Sequence, residues 1–202
     1  MKNSIQLNQE NLKEVKNRMP VPEYARTTKL SGIVHIGVGG FHRAHLAYYL
    51  HQLKNIGSGS GWGICGIGLR EADTNLHTIF KKQDHLYTLM VKYPDGKIEA
   101  EVIGSIVDFK MGTTDPEPVI AQMAAAETKI VSLTITEGGY NFDPATGEFN
   151  FDDPTIKHEI KHPQEPKTVY GFLTAALKRR RDKGLSAFTI MSCDNIEHNG
   201  DV

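Results

Sequence analysis

The stretch that most constrains the fold is IVHIGVGGFHRAHLAYYLHQL, which occupies positions 33–53 of the 202-residue chain. Its first six residues are apolar apart from one histidine and one glycine, and they predict a buried strand over 33–38. The apolar residues after the glycines recur at helical spacing, which predicts a helix over 42–53. A strand, a glycine loop and a helix in this order are typical of a phosphate cradle, and a plain glycine turn without a nucleotide is the alternative.

The glycine loop GVGGFH matches the first two glycines of the G-x-G-x-x-G pattern. We expect Gly37 to allow the tight turn, and Gly39 to let the backbone approach a pyrophosphate without an intervening Cβ. His42 stands where the pattern has its third glycine, so we expect its imidazole to point outward, toward a cofactor or substrate. The predicted cofactor contacts of this loop are Gly37, Gly39, Gly40, Phe41, His42 and Arg43, the last through a phosphate.

A second apolar run predicts a strand over 62–69, which ends in the sequence LREAD. A carboxylate at this strand end in a dinucleotide-binding domain accepts hydrogen bonds from the adenosine ribose and repels a 2′-phosphate. We expect Glu71 or Asp73 to fill that role, which favours NAD. Arg70 would suit the 2′-phosphate of NADP, so NADP stays open as a cofactor, and a solvated charged turn is the alternative without a ligand.

Two later strands also end in polar segments. Thr136 and Glu137 follow a strand predicted over 129–136, and we expect them to border the nicotinamide side of a dinucleotide. The last predicted strand, over 186–195, runs into DNIEHN, in which Asn195 and Asn199 are neutral donors that suit an alkoxide or a carbonyl oxygen. Asp194 is also consistent with a simple turn cap.

Alternation of apolar strands with helices predicts a Rossmann-like, doubly wound α/β domain with a mostly parallel sheet. An antiparallel hairpin about Pro94-Asp95-Gly96 is inserted midway, and a smaller hairpin is predicted about 145–147. Further helices are predicted near 8–17, 71–83, 115–129 and 166–184. Residues 1–30 are expected to form a lead-in packed on a dinucleotide-binding domain over 31–202.

Composition narrows the function classes. The chain has 23 Lys and Arg against 24 Asp and Glu, so nothing in its charge favours nucleic acid or an anionic membrane as a partner. Cys65 and Cys193 lie far apart in predicted buried strands, which indicates reduced thiols and no disulfide framework. The first 20 residues lack the apolar core of a signal peptide, so a cytoplasmic location is expected. Three histidines, at 35, 42 and 45, invite a metal site, but the glycine context explains the region better, so no metal is expected.

The segments IVHIGVGGFHRAHLAYY, WGICGIGLREAD, IVSLTITEGGYNFD and FTIMSCDNIEHNG resemble the polyol-specific long-chain dehydrogenases over essentially the whole chain. The histidine of GGFHRAH is normal in that family. The resemblance implies NAD(P)-dependent interconversion of a polyol and a ketose, typically mannitol and fructose, without a catalytic metal. It also implies that Asn195 stabilises the oxyanion and that Asp73 sets the choice of cofactor.

Members of that family are more than twice as long, and their general-base lysine comes from a following helical domain. The resemblance therefore implies that such a domain is the partner of this segment, which itself lacks the base. CGIGLREAD is more similar to the mannitol branch of the family than to fructuronate reductases (mannonate oxidoreductases). These reductases, other polyol or aldonate dehydrogenases, and a non-catalytic nucleotide-binding module are the alternatives.

Overall fold

The structure is a computed structural model that describes residues 4–27, 31–143 and 145–199. Within these residues the strands are β1 (Ile33–Ile36), β2 (Ile64–Gly68), β3 (Tyr87–Lys92), β4 (Ile98–Ile103), β5 (Ile106–Met111), β6 (Ile130–Leu133) and β7 (Thr189–Ser192). The helices are α1 (Leu12–Val15), α2 (Gly40–Ala44), α3 (Leu46–Asn55), α4 (Thr74–Lys82), α5 (Glu117–Ala124), α6 (Pro154–Lys161) and α7 (Val169–Asp182). The doubly wound α/β fold predicted from the sequence is confirmed.

The central sheet is parallel, with the strand order β5-β2-β1-β6-β7. Different helices cover the two faces of this sheet. Successive residues of β1 point to one face and then to the other. Val34 and Ile36 pack in the cluster that contains α5 and α7. Ile33 packs in the other cluster, with residues of α3 and the α4 residue Phe80. Burial on both faces explains why the strands read as nearly continuous apolar runs.

The strand order creates a crevice beside β1. From β1 the chain crosses to β2 and β5 on one side, and it then returns to place β6 and β7 on the other side. In open α/β sheets ligands bind at such a reversal, outside the carboxyl ends of the strands. The fold thus brings together the ends of β1, β2, β6 and β7, each of which the sequence marks with polar or glycine residues.

The helix after the glycine loop is broken, whereas the sequence predicts one continuous helix. His45, at φ −120° and ψ −97°, separates α2 from α3. The hydroxyl of Tyr87, on β3, donates a 2.5 Å hydrogen bond to the carbonyl oxygen of Arg43 at this break. The inserted hairpin therefore supplies a partner that the local sequence of the helix does not reveal.

The antiparallel hairpin is confirmed, with β3 paired to β4 from Tyr87↔Ile103 to Lys92↔Ile98. The apolar run after its turn is divided, however, because β4 ends at Ile103 and the following β5 joins the main sheet beside β2. Ser105, between the two strands, is buried, and its hydroxyl donates to the carbonyl oxygen of Ala47. Residues 103–106 are thus the point at which the chain leaves the hairpin and enters the core.

Several local predictions need correction. The segment after β6 contains an unpredicted helix, α6, which Asp153 caps by accepting hydrogen bonds from the backbone N–H groups of Thr155 and Ile156. The small hairpin about 145–147 is reduced to one bridge, Phe142↔Phe149. The last strand, β7, is partly exposed rather than buried, and it lies at the edge of the sheet, where it pairs only with β6 among the described strands.

The N-terminal residues pack on the hairpin side of the molecule. Leu12, Val15 and Val21 form a cluster with Leu86 and Val102. The helix predicted over 8–17 is shorter in the structure and occupies only Leu12–Val15. Whether a domain boundary falls at residue 30 stays a prediction. None of the described helices is both long enough and apolar enough to cross a membrane.

Candidate functional site

A cleft of about 610 Å³ opens at the carboxyl ends of the strands. Four groups of residues line it: the ends of β1 and β2, the segment after β6, the end of β7, and the starts of α6 and α7. They include Gly37, Gly39, Gly40, Phe41, Arg70, Asp73, Thr134, Thr136, Gly138, Asp153, Lys167, Thr168, Asp194 and Asn195. Eight of the eleven site residues predicted from the sequence line the cleft, all except His42, Arg43 and Glu137. They come from separate parts of the chain, and the fold brings them together.

The glycines of the loop have two different roles. Gly37 has a φ of 92°, and a Cβ there would overlap the carbonyl oxygen of Thr134, so the fold itself requires glycine. A Cβ at Gly39 would meet only the oxygen of Gly37, at 3.9 Å, and a Cβ at Gly40 would meet nothing within 4 Å. Packing within the chain does not require glycine at these two positions, and both line the cleft. Their bare backbone therefore fits a ligand that approaches closely, such as a pyrophosphate.

The expectation that the imidazole of His42 points outward is wrong. Its ring is buried and stacks on the ring of His35, with the centroids 3.4 Å apart. Neither ring nitrogen of His42 has a hydrogen-bond partner among the described residues. Burial is the main cause that lowers the pKa of His42 to about 2, and the neighbouring His35 lowers it further. His42 is therefore a neutral ring that packs beneath the glycine loop, which explains how the loop tolerates a side chain there.

His35 connects this stack to the glycine loop. Its Nδ1 lies 2.8 Å from the hydroxyl of Ser132, and its Nε2 lies 2.9 Å from the hydroxyl of Thr134. The Thr134 hydroxyl in turn donates to the carbonyl oxygen of Gly37 at 2.6 Å. Burial lowers the pKa of His35 to about 4. The neutral His35 thus joins β1, β6 and the start of the loop in one hydrogen-bonded unit.

Two other predicted contacts lie beside the cleft rather than in its lining. The guanidinium of Arg43 donates a long hydrogen bond of 3.5 Å to the carbonyl oxygen of Val38. Glu137 is exposed in the turn after β6. Phe41, by contrast, lines the cleft and is 58% exposed. The loop therefore offers bare backbone and one aromatic ring toward a ligand.

At the end of β2 the structure distinguishes the two candidate carboxylates. Asp73 lines the cleft, and Glu71 does not. The carboxylate of Asp73 accepts hydrogen bonds from the backbone N–H and from the guanidinium of Arg70, both at 3.1 Å. The side chain of Arg70 is 76% exposed and that of Asp73 only 14%, so the carboxylate is held in place while the guanidinium reaches solvent.

The ends of β6 and β7 are tied together by Asp194. Its carboxylate accepts hydrogen bonds at 2.9 Å from the backbone N–H groups of Ile135 and Thr136, and from the hydroxyl of Tyr140. The turn-cap role that the sequence left open for Asp194 is therefore what the structure shows. Thr136 itself has a φ of 60°, which is uncommon for a β-branched residue.

The two candidate asparagines have different environments in the structure. Asn195 lies exposed in the cleft. The side-chain amide of Asn199 donates to the hydroxyl of Ser192 at 3.0 Å and to the carbonyl oxygen of Asp194 at 2.7 Å. Both amide hydrogens of Asn199 are thus used inside the protein, and the expectation that it is a free donor for a substrate is wrong.

Part of the cleft lining was not predicted from the sequence. Thr134 and Gly138 lie on either side of the predicted residue Thr136, and their positions after a buried strand could have indicated them. Lys167 and Thr168 precede α7, and the carboxylate of the buried Glu159 accepts hydrogen bonds from their backbone N–H groups. This contact between two helices has no local sequence signal.

The arrangement suits a phosphate-containing dinucleotide better than a metal ion. The described residues contain no group of three or more His, Cys, Asp or Glu side chains placed to hold a metal. Cys193, which was predicted to be a core thiol, is half-buried in the cleft wall, and Cys65 is buried. A parallel sheet, a switch-point cleft and a bare glycine loop at the start of a helix together define a Rossmann-type domain of the kind that binds dinucleotides.

Comparison with known proteins assigns the family. The model of the mannitol dehydrogenase Rossmann domain matches residues 31–202, and the chain belongs to that family. A mannitol 2-dehydrogenase of Pyricularia oryzae is 45% identical over 184 residues, which are 90% of this chain and 36% of that protein. The polyol:NADP oxidoreductase of Gluconobacter oxydans is 41% identical over 198 residues, 97% of this chain and 40% of that protein.

Among solved structures, the Pseudomonas fluorescens mannitol 2-dehydrogenase in ternary complex with NAD and D-mannitol superposes with a TM-score of 0.92 and 47% identity. That match covers 98% of this chain and 40% of the other chain. The present chain thus spans well under half the length of these relatives.

Proposed function

We propose that the chain binds NAD in the cleft and provides the nucleotide-binding part of a polyol dehydrogenase that interconverts mannitol and fructose. The observation that carries the proposal is the bare backbone of Gly39 and Gly40, which line the cleft although neither position needs glycine for packing. The similarity to an enzyme solved with NAD and D-mannitol supports the choice of cofactor and substrate. The unpaired cysteines support a cytoplasmic location.

The proposed cofactor contacts follow the strand order. The pyrophosphate would lie on the backbone at Gly37, Gly39 and Gly40, beside Phe41. The adenosine ribose would meet Asp73 at the end of β2, and Arg70 would cover the outer side of the ribose. The other half of the dinucleotide would then lie over β6, at Thr136. His42 and Arg43 would support the loop from beneath, and Glu137 would border the cleft entrance.

The nicotinamide, when bound, supplies the hydride acceptor for the C2 carbon of the polyol. The residue of this chain that acts on the substrate is Asn195, whose amide would donate a hydrogen bond to the C2 oxygen as it becomes an alkoxide. One such donor contributes about 3 kcal/mol to catalysis. We propose that the group that takes the hydroxyl proton is a lysine outside this chain, in the helical domain that the family resemblance implies.

The glycine loop can be tested by Gly39→Val. The added side chain fits the protein but fills the space proposed for the pyrophosphate, so the dissociation constant for NADH should rise at least about tenfold, which is about 1.4 kcal/mol. Stability should fall by no more than about 1 kcal/mol, the cost of a poorer helix cap. NADH fluorescence titration and urea denaturation measure the two effects.

A matched control is Gly61→Val. Gly61 also has open space around its missing Cβ and an ordinary backbone conformation, but it does not line the cleft. Its replacement should leave NADH affinity unchanged. If Gly39→Val bound NADH as tightly as Gly61→Val does, the cleft would not be the dinucleotide site.

The ribose contact can be tested by Asp73→Ala. Loss of the carboxylate removes two hydrogen-bond acceptors for the ribose hydroxyls and frees Arg70 for a 2′-phosphate, so the preference for NADH over NADPH should shrink at least about fivefold. Glu71→Ala, which removes a neighbouring carboxylate outside the cleft, should leave that preference unchanged. An equal effect of both substitutions would mean that only the net charge matters and would reject the assignment of Asp73.

The substrate can be tested by assaying a panel of polyols and sugar acids. The assay uses this chain joined to the further residues that its longer relatives possess. Mannitol oxidation with NAD should be the fastest reaction. A preference for fructuronate or another uronate would replace the proposed substrate class while leaving the coenzyme site intact.

A further inference from the structure

We infer that Asp194 is the positioning residue for the nicotinamide half of the dinucleotide, because it fixes Thr136 and Asn195 on one wall of the cleft. The inference rests on the proposed function, since it concerns how the proposed coenzyme site is held. Asp194 bridges two strands whose ends are distant in the sequence, and its two oxygens accept hydrogen bonds from consecutive backbone N–H groups, those of Ile135 and Thr136.

The hydroxyl groups near Asp194 form a series of hydrogen bonds in which each hydroxyl donates in the direction of the carboxylate. A carboxylate only accepts hydrogen bonds, so Tyr140 donates its single hydroxyl hydrogen to Asp194, at 2.9 Å. The 2.6 Å contact between Tyr140 and Ser192 therefore has the Ser192 hydroxyl as its donor. Ser192 in turn accepts from the amide of Asn199. The donors thus run from Asn199 through Ser192 and Tyr140 to the carboxylate, while the two backbone N–H groups of Ile135 and Thr136 fix its orientation.

This network matters because the wall it holds is strained. Thr136 adopts φ 60° and ψ 173°, a conformation that a β-branched residue keeps only where its surroundings impose it. The conformation places Thr136 and Gly138 in the cleft lining. Release of the Thr136 N–H would remove the contact that fixes this backbone, and Asn195, the next residue after Asp194, would lose the same anchor.

The strand order indicates which half of the dinucleotide would contact the cleft wall formed by Thr136 and Asn195. With the pyrophosphate on the glycine loop after β1 and the adenosine ribose at Asp73 after β2, the other half of the dinucleotide lies on the opposite side of β1, at the ends of β6 and β7. A defect at Asp194 should therefore weaken contacts to the nicotinamide half and spare contacts to the ADP-ribose half.

The test compares the dissociation constants of NADH and ADP-ribose, measured by calorimetry, for the wild type and Asp194→Asn. The two ligands carry the same pyrophosphate charge, so the ratio of their affinities does not respond to the lost charge of the carboxylate. The asparagine keeps the shape but turns an amide donor toward a backbone N–H. We expect ADP-ribose affinity within about twofold of the wild type and a loss of at least about fivefold in the preference for NADH, which is about 1 kcal/mol.

Tyr140→Phe is the matched control. It removes one hydrogen bond to the same carboxylate and leaves both backbone contacts of Asp194, so the preference for NADH should stay within about twofold of the wild type. If Asp194→Asn does not fold, Asn199→Ala replaces it, because that change frees the Asp194 carbonyl oxygen without altering the carboxylate. Asn199→Ala should also lower the preference for NADH over ADP-ribose, but by less than Asp194→Asn.

The outcomes separate the inference from the proposed function. An unchanged preference for NADH in the Asp194 and Asn199 variants, or equal loss of affinity for both ligands, would overturn the positioning role. A wild type that bound NADH no better than ADP-ribose would also overturn it, since no nicotinamide contact would exist. A wild type that bound neither ligand would instead reject the proposed function.

Discussion

At the scale of single residues, the two buried histidines make stability depend on pH. Burial lowers the pKa of His35 to about 4 and that of His42 to about 2, from an ordinary value of 6.5. Both rings are neutral in the folded protein, whereas in the unfolded chain they gain protons below about pH 6.5. The stability that the neutral rings contribute is therefore complete above pH 6.5 and is lost progressively as the pH falls toward the folded pKa values.

His42→Phe tests this dependence. The substitution keeps a flat ring beside His35 and removes two ring nitrogens that lack partners among the described residues. It also removes one titrating group, which contributes about 2 kcal/mol between pH 7.5 and pH 5. We expect the free energy of unfolding, measured in urea, to fall less between these two pH values in the variant than in the wild type.

The charged neighbours of His35 and His42 do not reverse this dependence of stability on pH. Arg43 and His45 disfavour a proton on His42, and Asp194 favours one on His35 without cancelling the effect of burial. His162→Phe, at an exposed histidine after α6, is the control and should leave the slope close to that of the wild type. An identical pH slope in the wild type and in His42→Phe would contradict the prediction.

At the scale of helices and strands, the sequence correctly predicts the elements that depend on short-range residue patterns. The glycine loop, the hairpin about 94–96 and the long helix α7 follow from local glycine, turn and periodicity signals, and all three are present. The α6 start carried such a signal in Asp153-Pro154, an N-cap followed by proline, which could have revealed that helix.

Contacts between distant elements set the features that the sequence does not predict. The break in the helix at His45 coincides with a hydrogen bond from Tyr87, 44 positions beyond Arg43. The inward turn of His42 depends on the ring of His35, on another element. Asp194 reaches Thr136 across 58 positions. Local patterns therefore locate the candidate site, and tertiary contacts decide which side chains face it.

At the scale of the whole molecule, Arg26 joins the N-terminal residues to the hairpin and the sheet, in addition to their apolar contacts. The guanidinium of Arg26 donates hydrogen bonds to three carbonyl oxygens, those of Asp84, Gly104 and Ile106, and a fourth to the side chain of Gln9. These contacts lie between α4 and β3 and at the junction of β4 and β5. One side chain thus connects the lead-in to the two places where the chain enters and leaves the hairpin.

Arg26→Met should therefore destabilise the whole molecule and not only its N-terminus. Methionine keeps much of the aliphatic length but leaves the three carbonyl oxygens without their charged donor, and hydrogen bonds to charged groups contribute about 1.5–3 kcal/mol each. We expect the free energy of unfolding in urea to fall by about 3 kcal/mol or more in a single transition, while NADH affinity of the folded protein stays unchanged. Arg181→Met, at an exposed arginine of α7, should change the free energy of unfolding by less than about 0.5 kcal/mol. If both variants were equally stable, or if the Arg26 variant lost its N-terminus in a separate early transition, the lead-in would be an appendage instead of a part of the cooperative fold.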